Sequence, residues 1–228
     1  MATTVRQSTR SSSAAPRTGS RRSAKDAAEV IRSMIVSLEL APGSIVSESQ
    51  LTKQLGFGRT PIREALLVLA QEHLIKPVPG VGSTVAGLNV SDFGLLNECQ
   101  QTLEPFAARL VAERITDVEV SELQSILDEA RLAAEKGDLT LLVMKDVDFH
   151  AVMCEATRNP HLTDSMMRVH RLAVRFARYA YDRGAPALTS VEEHQRILDA
   201  LASHAPDEAE GLMQEHTRDS WERIRAAL

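Results

Sequence analysis

Apolar residues recur at the 3.6-residue spacing of helices along most of the chain, with one short interruption around residues 74–86. Before the interruption, this spacing predicts helices from about Asp26 to Leu38, from Glu48 to Leu55 and from about Thr60 to Glu72. Gly56 follows the second helix in the position of a C-terminal cap, and Pro61 lies in the first turn of the third. Only a tight turn is therefore expected between the second and third helices.

The interruption has the pattern of a small hairpin. Extended segments are predicted around Leu74 to Val78 and around Ser83 to Ala86, with the turn Pro79-Gly80-Val81-Gly82 between them. Two short helices joined by a tight turn and followed by a hairpin predict a winged helix-turn-helix. In that fold the second helix of the pair enters the major groove of DNA.

After Gly87 there is no further strand pattern, and helical spacing predicts a bundle of six helices. Thr116 and Glu119 form a capping-box pattern at the start of the second of these helices, and Ser190 and Glu193 form one at the start of the fifth. The expected fold class is mostly α, with an N-terminal winged helix-turn-helix and a C-terminal all-α bundle. The six helices are predicted at about 90–114, 117–136, 138–156, 160–181, 189–203 and 206–228.

Charge divides the chain into a basic front and an acidic back. Residues 1–87 carry 11 Lys and Arg against 6 Asp and Glu, whereas residues 88–228 carry 15 against 25. Only the front is therefore expected to meet a polyanion such as DNA. We predict a disordered basic tail at 1–24, a DNA-binding domain at 25–87 and a helical effector-binding domain at 88–228.

Composition favours a soluble, cytoplasmic protein. Apolar residues make up 43% of the chain and charged residues 25%, and no apolar run approaches the roughly 18 residues of a membrane span. The N-terminus lacks the apolar segment of a secretory signal. Cys99 and Cys154 have no metal-type spacing, and we expect both to be buried thiols in a reducing compartment.

The start of the third predicted helix carries side chains suited to DNA. Arg59 and Arg63 are four residues apart, so they project from one face, and arginine can bind guanine through two hydrogen bonds. Thr60 can bind a phosphate together with the free N–H groups of the helix start. Gly80 and Gly82 make the hairpin tip small enough to lie in or across the minor groove. The alternative interpretation is that the two arginines only form a solvated face.

Motifs across residues 31–85 match a known family. They are LAPG at 40–43, RTPIREAL at 59–66, LI at 74–75 and the glycine-containing wing that follows. With these motifs the segment resembles the GntR family of bacterial regulators. The resemblance implies that a set of five residues faces DNA, three at the helix start and two at the wing. They are Arg59, Thr60, Arg63, Gly80 and Gly82.

Four polar residues interrupt the apolar faces of the back helices. Asp146 and His150 are four residues apart on one such face, and His194 and His216 lie on the apolar faces of the fifth and last helices. Burying an unpaired carboxylate is costly. If the four side chains converge, they suit a divalent transition metal such as Zn, Ni, Mn or Fe. The alternative is that each histidine is a core residue bonded to a carbonyl group and that Asp146 and His150 form only a salt bridge.

Residues 91–223 also match a known domain. The motifs are LEP at 103–105, D-x-x-F-H at 146–150, NP at 159–160, EH at 193–194 and M-x-x-H at 213–216. They resemble the FCD ligand-binding domain of the FadR subfamily. The resemblance implies that a helical bundle holds a metal and that the metal, with nearby cations, grips the carboxylate of a small organic acid. The implied metal ligands are Asp146, His150, His194 and His216.

One position departs from the pattern of that domain. Many relatives carry an arginine four residues before the glutamate of the LE motif, but this chain has Gln100 there. Arginine binds a carboxylate through an ion pair with two hydrogen bonds, whereas glutamine can only hydrogen-bond it. Arg171 and Arg175 are alternative partners for an effector carboxylate, and their other interpretation is a solvated basic face. The candidate effector-binding residues are therefore Gln100, Arg171 and Arg175.

Together the two resemblances imply a transcription regulator, usually a repressor, that binds a palindromic operator as a homodimer and is not an enzyme. Effector binding would change the spacing of the two DNA-binding heads, so that they no longer match two operator half-sites. One alternative is a regulator whose effector is the metal ion itself. Another is a metal-dependent hydrolase or lyase, although the sequence shows neither a separate glutamate placed beside the four ligands nor a nucleophile motif.

Overall fold

The computed structural model describes residues 23–79 and 82–228, and this part of the chain is mostly helical, as predicted. The predicted tail up to residue 22 and the wing glycine Gly80 lie outside the described residues. The elements are α1 (Ala24–Val36), β1 (Ile45–Val46), α2 (Glu48–Leu55), α3 (Arg59–Gln71), β2 (Ile75–Val78), β3 (Gly82–Val85), α4 (Val90–Arg114), α5 (Asp117–Lys136), α6 (Leu139–Ala156), α7 (Pro160–Tyr181), α8 (Ala187–Ala202) and α9 (Pro206–Ala227).

Elements α1–α3 and β1–β3 form what we call the front unit. Ser23 caps α1 and exchanges hydrogen bonds with Asp26, which fixes the start of the helix. α2 begins at the N-cap Ser47 and ends at Gly56, whose φ of 71° suits a residue without a Cβ. The three helices pack their apolar faces together. The core of the unit includes Ala27, Ile31, Ile35, Ile62, Leu66, Leu69, Leu74 and Val85.

The sheet of the front unit contains a strand that the sequence pattern does not predict. The antiparallel order is β1-β3-β2, with Ile45 opposite Thr84 on one side of β3 and Ile75 opposite Val85 on the other. β1 has only two residues, which is too short to show the alternation on which strand predictions rest. The sheet anchors the wing beside the start of α2.

Helices α4–α9 form what we call the back bundle. The capping box of Thr116 and Glu119 at the start of α5 is confirmed. The capping box predicted at Ser190 and Glu193 is wrong, because α8 begins earlier, at Ala187, and Ser190 is buried inside the helix. The bundle surrounds one large apolar core. Its members include Ala108, Val111, Leu123, Leu127, Phe149, Met153, Ile197, Leu201 and Met213.

Helix α7 joins the back bundle to the front unit. Val36 at the end of α1 packs against Val143 of α6 and Val174 of α7. Arg175 of α7 is almost completely buried, and its guanidinium donates a hydrogen bond to the carbonyl of Ala86, in the connection between β3 and α4. Burial lowers the pKa of Arg175 to about 10. One helix therefore contacts both the front unit and the connection to the bundle.

The cysteines differ from each other in exposure. Cys154 is buried as expected, and burial raises the pKa of its thiol to about 12. The expectation is wrong for Cys99, which lies on the solvent side of α4. Across the described ranges, no helix is both long and apolar enough to cross a membrane.

Candidate functional site

The N-terminus of α3 presents an exposed polar surface. Its N-cap, Gly58, has no side chain to accept a hydrogen bond from the first N–H groups of the helix. Arg59, Thr60 and Arg63 are all exposed in the first turns, as the sequence predicts for residues that meet DNA. Free N–H groups and two guanidinium groups together can bind phosphate oxygens and base edges.

A concave surface joins this helix start to the wing. Arg59 and Gly82 both line it, so the helix and the hairpin face the same space. Ser47, Ser49 and Ser83 line it too, and the hydroxyls of Ser47 and Ser49 lie 2.9 Å apart. Hydroxyl groups can donate hydrogen bonds to phosphate oxygens. The sequence pattern assigns Ser47 a capping role, and some relatives of the resembled family carry a basic residue where this chain has Ser49.

Three of the four predicted metal ligands meet in the middle of the back bundle. His150 on α6, His194 on α8 and His216 on α9 are all buried. The Nε2 atom of His194 lies 3.3 Å from Nε2 of His150 and 3.2 Å from Nε2 of His216. Three helices therefore direct three ring nitrogens toward one point.

The spacing of these nitrogens fits a metal ion. Zinc–nitrogen bonds of about 2.0–2.1 Å in a tetrahedron place neighbouring nitrogens about 3.3 Å apart. Hydrogen bonding alone does not account for the cluster, because the single Nε2 atom of His194 faces two other ring nitrogens and cannot be donor to one and acceptor for the other at once. A cation at the centre would satisfy all three lone pairs.

Glu193 determines which nitrogen of His216 faces the cluster. Its Oε2 atom lies 2.8 Å from Nδ1 of His216, and a carboxylate requires that this nitrogen carry the proton. Nε2 of a neutral His216 is then left with the lone pair that a metal needs. Arg223 holds the same carboxylate through two hydrogen bonds of 2.6 and 2.7 Å. Burial alone would raise the pKa of Glu193, but His216 and Arg223 lower it.

Asp146, the fourth predicted ligand, lies near His194 but outside the group of three imidazoles, and it faces another residue more closely. Its Oδ1 atom is 3.9 Å from Nδ1 of His194, whereas its Oδ2 atom is 3.0 Å from Nε2 of His170. His170 also lies near Glu104, with 3.7 Å between its Nδ1 and Oε1. Neither His170 nor Glu104 is predicted as a site residue from the sequence. Together with His150, they form a second group of buried side chains with metal-ligand chemistry.

The buried environment separates the protonation states of these histidines. Burial lowers the pKa of His150 to about 4 and lowers that of His194 well below its usual value, so both rings are neutral near pH 7. For His170, burial acts in the same direction, but the carboxylates of Asp146 and Glu104 outweigh it and raise the pKa to about 9. Neutral rings at His150 and His194 are the form that binds metal.

A small cavity of about 40 Å³ opens beside the cluster. His150, His216 and Asp146 line it, and so does Gln100, a candidate effector-binding residue. The amide of Gln100 donates a hydrogen bond of 2.9 Å to Glu104. Ligand pockets of small molecules have volumes of about 300–1,000 Å³, so the helices around this cavity must move apart before it holds a small organic molecule.

Arg171 and Arg175 are not among the residues that line this cavity. Arg175 binds the Ala86 carbonyl instead, and Arg171 lies within electrostatic reach of Arg32 and Glu72 of the front unit. Both arginines therefore lie toward the front unit, and their interpretation as partners of an effector carboxylate stays a prediction that the geometry does not favour.

Two sequence families match the chain. Residues 23–85 match the family described as "Bacterial regulatory proteins, gntR family", and residues 96–219 match the FCD domain. The first match covers α1–α3 and the sheet, and the second covers most of the back bundle.

Individual proteins are similar over most of the chain. The Nta operon transcriptional regulator of Aminobacter aminovorans is 30% identical over 193 residues, which cover 84% of this chain and 89% of that protein. The HTH-type transcriptional repressor RspR of Escherichia coli (strain K12) is 26% identical over 196 residues, 86% of each chain. Among solved structures, E. coli McbR/YncC superposes with a TM-score of 0.81 at 22% identity, covering 89% of this chain and 97% of that one.

Proposed function

The chain belongs to the gntR family of bacterial regulatory proteins and carries an FCD domain, and from that premise we propose that it is a repressor controlled by a small organic acid. Members of the family are transcriptional regulators and not enzymes. In the proposal, a homodimer binds a palindromic operator through two copies of the surface formed by Arg59, Thr60, Arg63 and Gly82. An acid bound in the cavity of the back bundle changes the spacing of those surfaces, so that they no longer match two half-sites.

The observation that carries this proposal is the placement of two sites on one chain. An exposed, uncapped helix start with two arginines lies in the front unit, and a cavity beside three converging imidazoles lies in the back bundle. The first suits DNA and the second suits an effector.

The experiment that tests it is selection of bound sequences from a random duplex library, followed by titration of the selected duplex. We expect a palindrome whose half-site centres lie about one helical turn, 10–10.5 base pairs, or a multiple of it apart. Light scattering should give two chains per duplex. A selected site without symmetry, or one chain per duplex, would contradict the dimer. Operator binding that responds to a metal ion with no organic acid present would favour the alternative of a metal sensor.

We further propose that the metal is held by His150, His194 and His216, with Asp146 as the fourth ligand. A bound divalent ion supplies a positively charged coordination position for a carboxylate. The three histidines keep their lone pairs because two are neutral through burial and the third is oriented by Glu193. Asp146 supplies negative charge next to the imidazoles.

Replacing Glu193 with glutamine is expected to weaken metal binding about 10- to 100-fold, the usual cost of losing the partner that orients a ligand. Glutamine keeps the size of the side chain but removes the charge that fixes the Nδ1 proton of His216. Metal affinity would be measured by competition with a chromophoric chelator. Glu192→Gln, an exposed neighbour on the same helix, is the matched control. Equal affinities for the two variants would mean that Glu193 does not orient the ligand.

Helix α7 is the element we propose to transmit the effector signal. Val174 and Ala177 line the cavity, whereas Arg175 between them in sequence contacts the connection to the front unit and Leu172 packs against the front core. A shift of α7 on ligand binding therefore acts directly on the position of the front unit. Coupling of this kind changes affinities by about 5- to 150-fold.

Arg175→Met is expected to reduce that coupling to about threefold or less while the effector still binds, because methionine fills part of the buried space without holding the Ala86 carbonyl. The measurement is operator affinity with and without saturating effector. Arg178→Met, which removes an ion pair to Asp182 on the same helix, is the control. If the effector changes the operator affinity of Arg175→Met as much as that of the wild type, the contact between Arg175 and Ala86 does not transmit the signal.

A further inference from the structure

We propose that the effector is an aromatic acid with a single carboxylate, and not a di- or tricarboxylate. The inference rests on the proposed function, because it assumes that the acid enters the cavity with its carboxylate toward the metal. It is carried by the composition of the cavity walls beyond the metal ligands, which combine aromatic rings and neutral polar groups with the carboxylate of Glu104.

The walls offer no cation for a second carboxylate. Within the described residues, the lining of this cavity includes neither lysine nor arginine. Its charged groups are Glu104, Asp146 and His170, and the ring nitrogens of His170 lie 3.0 Å from Asp146 and 3.7 Å from Glu104. The imidazole of His170 thus already has Glu104 as a partner, besides Asp146, the proposed metal ligand. A further carboxylate would be buried beside like charges without a partner, which is strongly unfavourable.

Three cationic side chains of the back bundle that lie outside the lining are engaged elsewhere. The guanidinium of Arg175 donates to the carbonyl of Ala86. The guanidinium of Arg223 holds Glu193 through two hydrogen bonds. Lys145 pairs with Glu129 at 2.8 Å and, more loosely, with Asp148 at 3.4 Å. None of them can turn toward a second carboxylate without breaking an existing contact.

One side of the cavity is suited to a flat ring. Phe93 and Trp221 both line it, with their ring centroids 4.6 Å apart. Small side chains, Ala173 and Ala177, line the same space, so a ring can lie against the aromatic wall once the cavity widens. The remaining polar groups there are uncharged and can hydrogen-bond hydroxyl or amide substituents. They include Asn97, Ser190, Thr217 and Ser220.

The test uses the fluorescence of Trp221, the single tryptophan of the chain, which reports directly on this cavity. The metal-loaded full chain is titrated with benzoate, salicylate, terephthalate and citrate. Terephthalate carries a second carboxylate on the same ring as benzoate. We expect benzoate and salicylate to change the fluorescence. They should bind at least about tenfold more tightly than terephthalate or citrate, because terephthalate and citrate would each bury a carboxylate that has no partner.

Ser220→Arg supplies the missing cation and tests the position of the ligand. We expect it to raise the affinity for terephthalate relative to benzoate by about tenfold or more through a new ion pair. Ser121→Arg adds the same charge on the exposed face of α5 and should leave the ratio unchanged. An unchanged ratio in Ser220→Arg would overturn the placement of the acid in this cavity.

The outcomes also separate this inference from the proposed function. Tighter binding of terephthalate or citrate to the unmodified chain would overturn the inference alone, since an acid would still occupy the cavity. Binding of none of the four acids, by a protein that holds metal and operator, would overturn both the inference and the role of an organic acid, while leaving DNA binding intact.

Discussion

Replacing Arg63 with alanine is expected to weaken specific operator binding by about 5- to 150-fold, which corresponds to about 1–3 kcal/mol for one bidentate contact to guanine. Arg63 is exposed on the first turns of α3, and the core contacts of that helix come from its opposite face, through Ile62, Ala65 and Leu66. The substitution should therefore change the free energy of unfolding by no more than about 0.5 kcal/mol. The measurement is fluorescence anisotropy with the selected operator and with a scrambled duplex of equal length.

The scrambled duplex separates base recognition from charge. If Arg63 contacts only phosphate, both duplexes lose affinity equally and the dependence on salt becomes weaker. If it contacts a base, the loss is concentrated in the operator. Arg225→Ala, which removes an exposed arginine from the last turn of α9, is the control for net charge and should leave both affinities unchanged. An Arg63→Ala variant with unaltered operator affinity would contradict the assignment of α3 as the recognition helix.

The front unit was largely predictable because its signals are local. Ser47, Gly56 and Pro61 mark helix boundaries within a few residues of sequence, and the observed helices begin and end within about two residues of the predicted ones. The unpredicted strand β1 exists only because β3 lies beside it, and this pairing depends on residues almost 40 positions apart. The placement of Ser49 and Ser83 beside Arg59 depends on the same kind of packing between distant segments.

The candidate metal site shows where helical spacing stops being informative. Spacing identifies inward-facing polar residues one helix at a time, and it found His150, His194 and His216. Their convergence at 3.2–3.3 Å depends on how α6, α8 and α9 pack, which no single helix encodes. His170 and Glu104 could have been found by the same argument, since each occupies a buried face of its helix.

Glu193 was missed for a different physical reason. Its spacing from Ser190 matches a local capping box, and that local signal predicts a helix start at this position. In the structure, the preceding turn continues the helix back to Ala187, and the Glu193 carboxylate binds His216 and Arg223, which lie 23 and 30 residues away. Contacts of Glu193 with His216 and Arg223 on another helix thus replace the local capping box with Ser190. Only the three-dimensional structure shows which of these interactions forms.

His194→Ala is expected to abolish metal binding and to remove the stabilisation that the metal provides. His194 lies between the other two imidazoles, so without it only the Nε2 atoms of His150 and His216 remain to hold the ion. We expect about one metal ion per purified wild-type chain and much less than that in the variant, measured by elemental mass spectrometry. At a free metal concentration about 1,000 times the dissociation constant, binding stabilises the folded state by about 4 kcal/mol.

The comparison that isolates the metal is the effect of a chelator within each protein, because alanine also leaves a cavity in the core, where His194 stacks on Phe149 with ring centroids 4.5 Å apart. Chelation should lower the melting temperature of the wild type and of His161→Ala, an exposed histidine at the start of α7, and should leave His194→Ala unchanged. If a chelator changes none of the three, and the wild type stays metal-free after supplementation with Zn, Ni and Mn, the metal site is excluded. One ring N–H would then donate to a single neighbouring nitrogen, and the nitrogen left without a partner would need a donor from ordered water or from the effector itself.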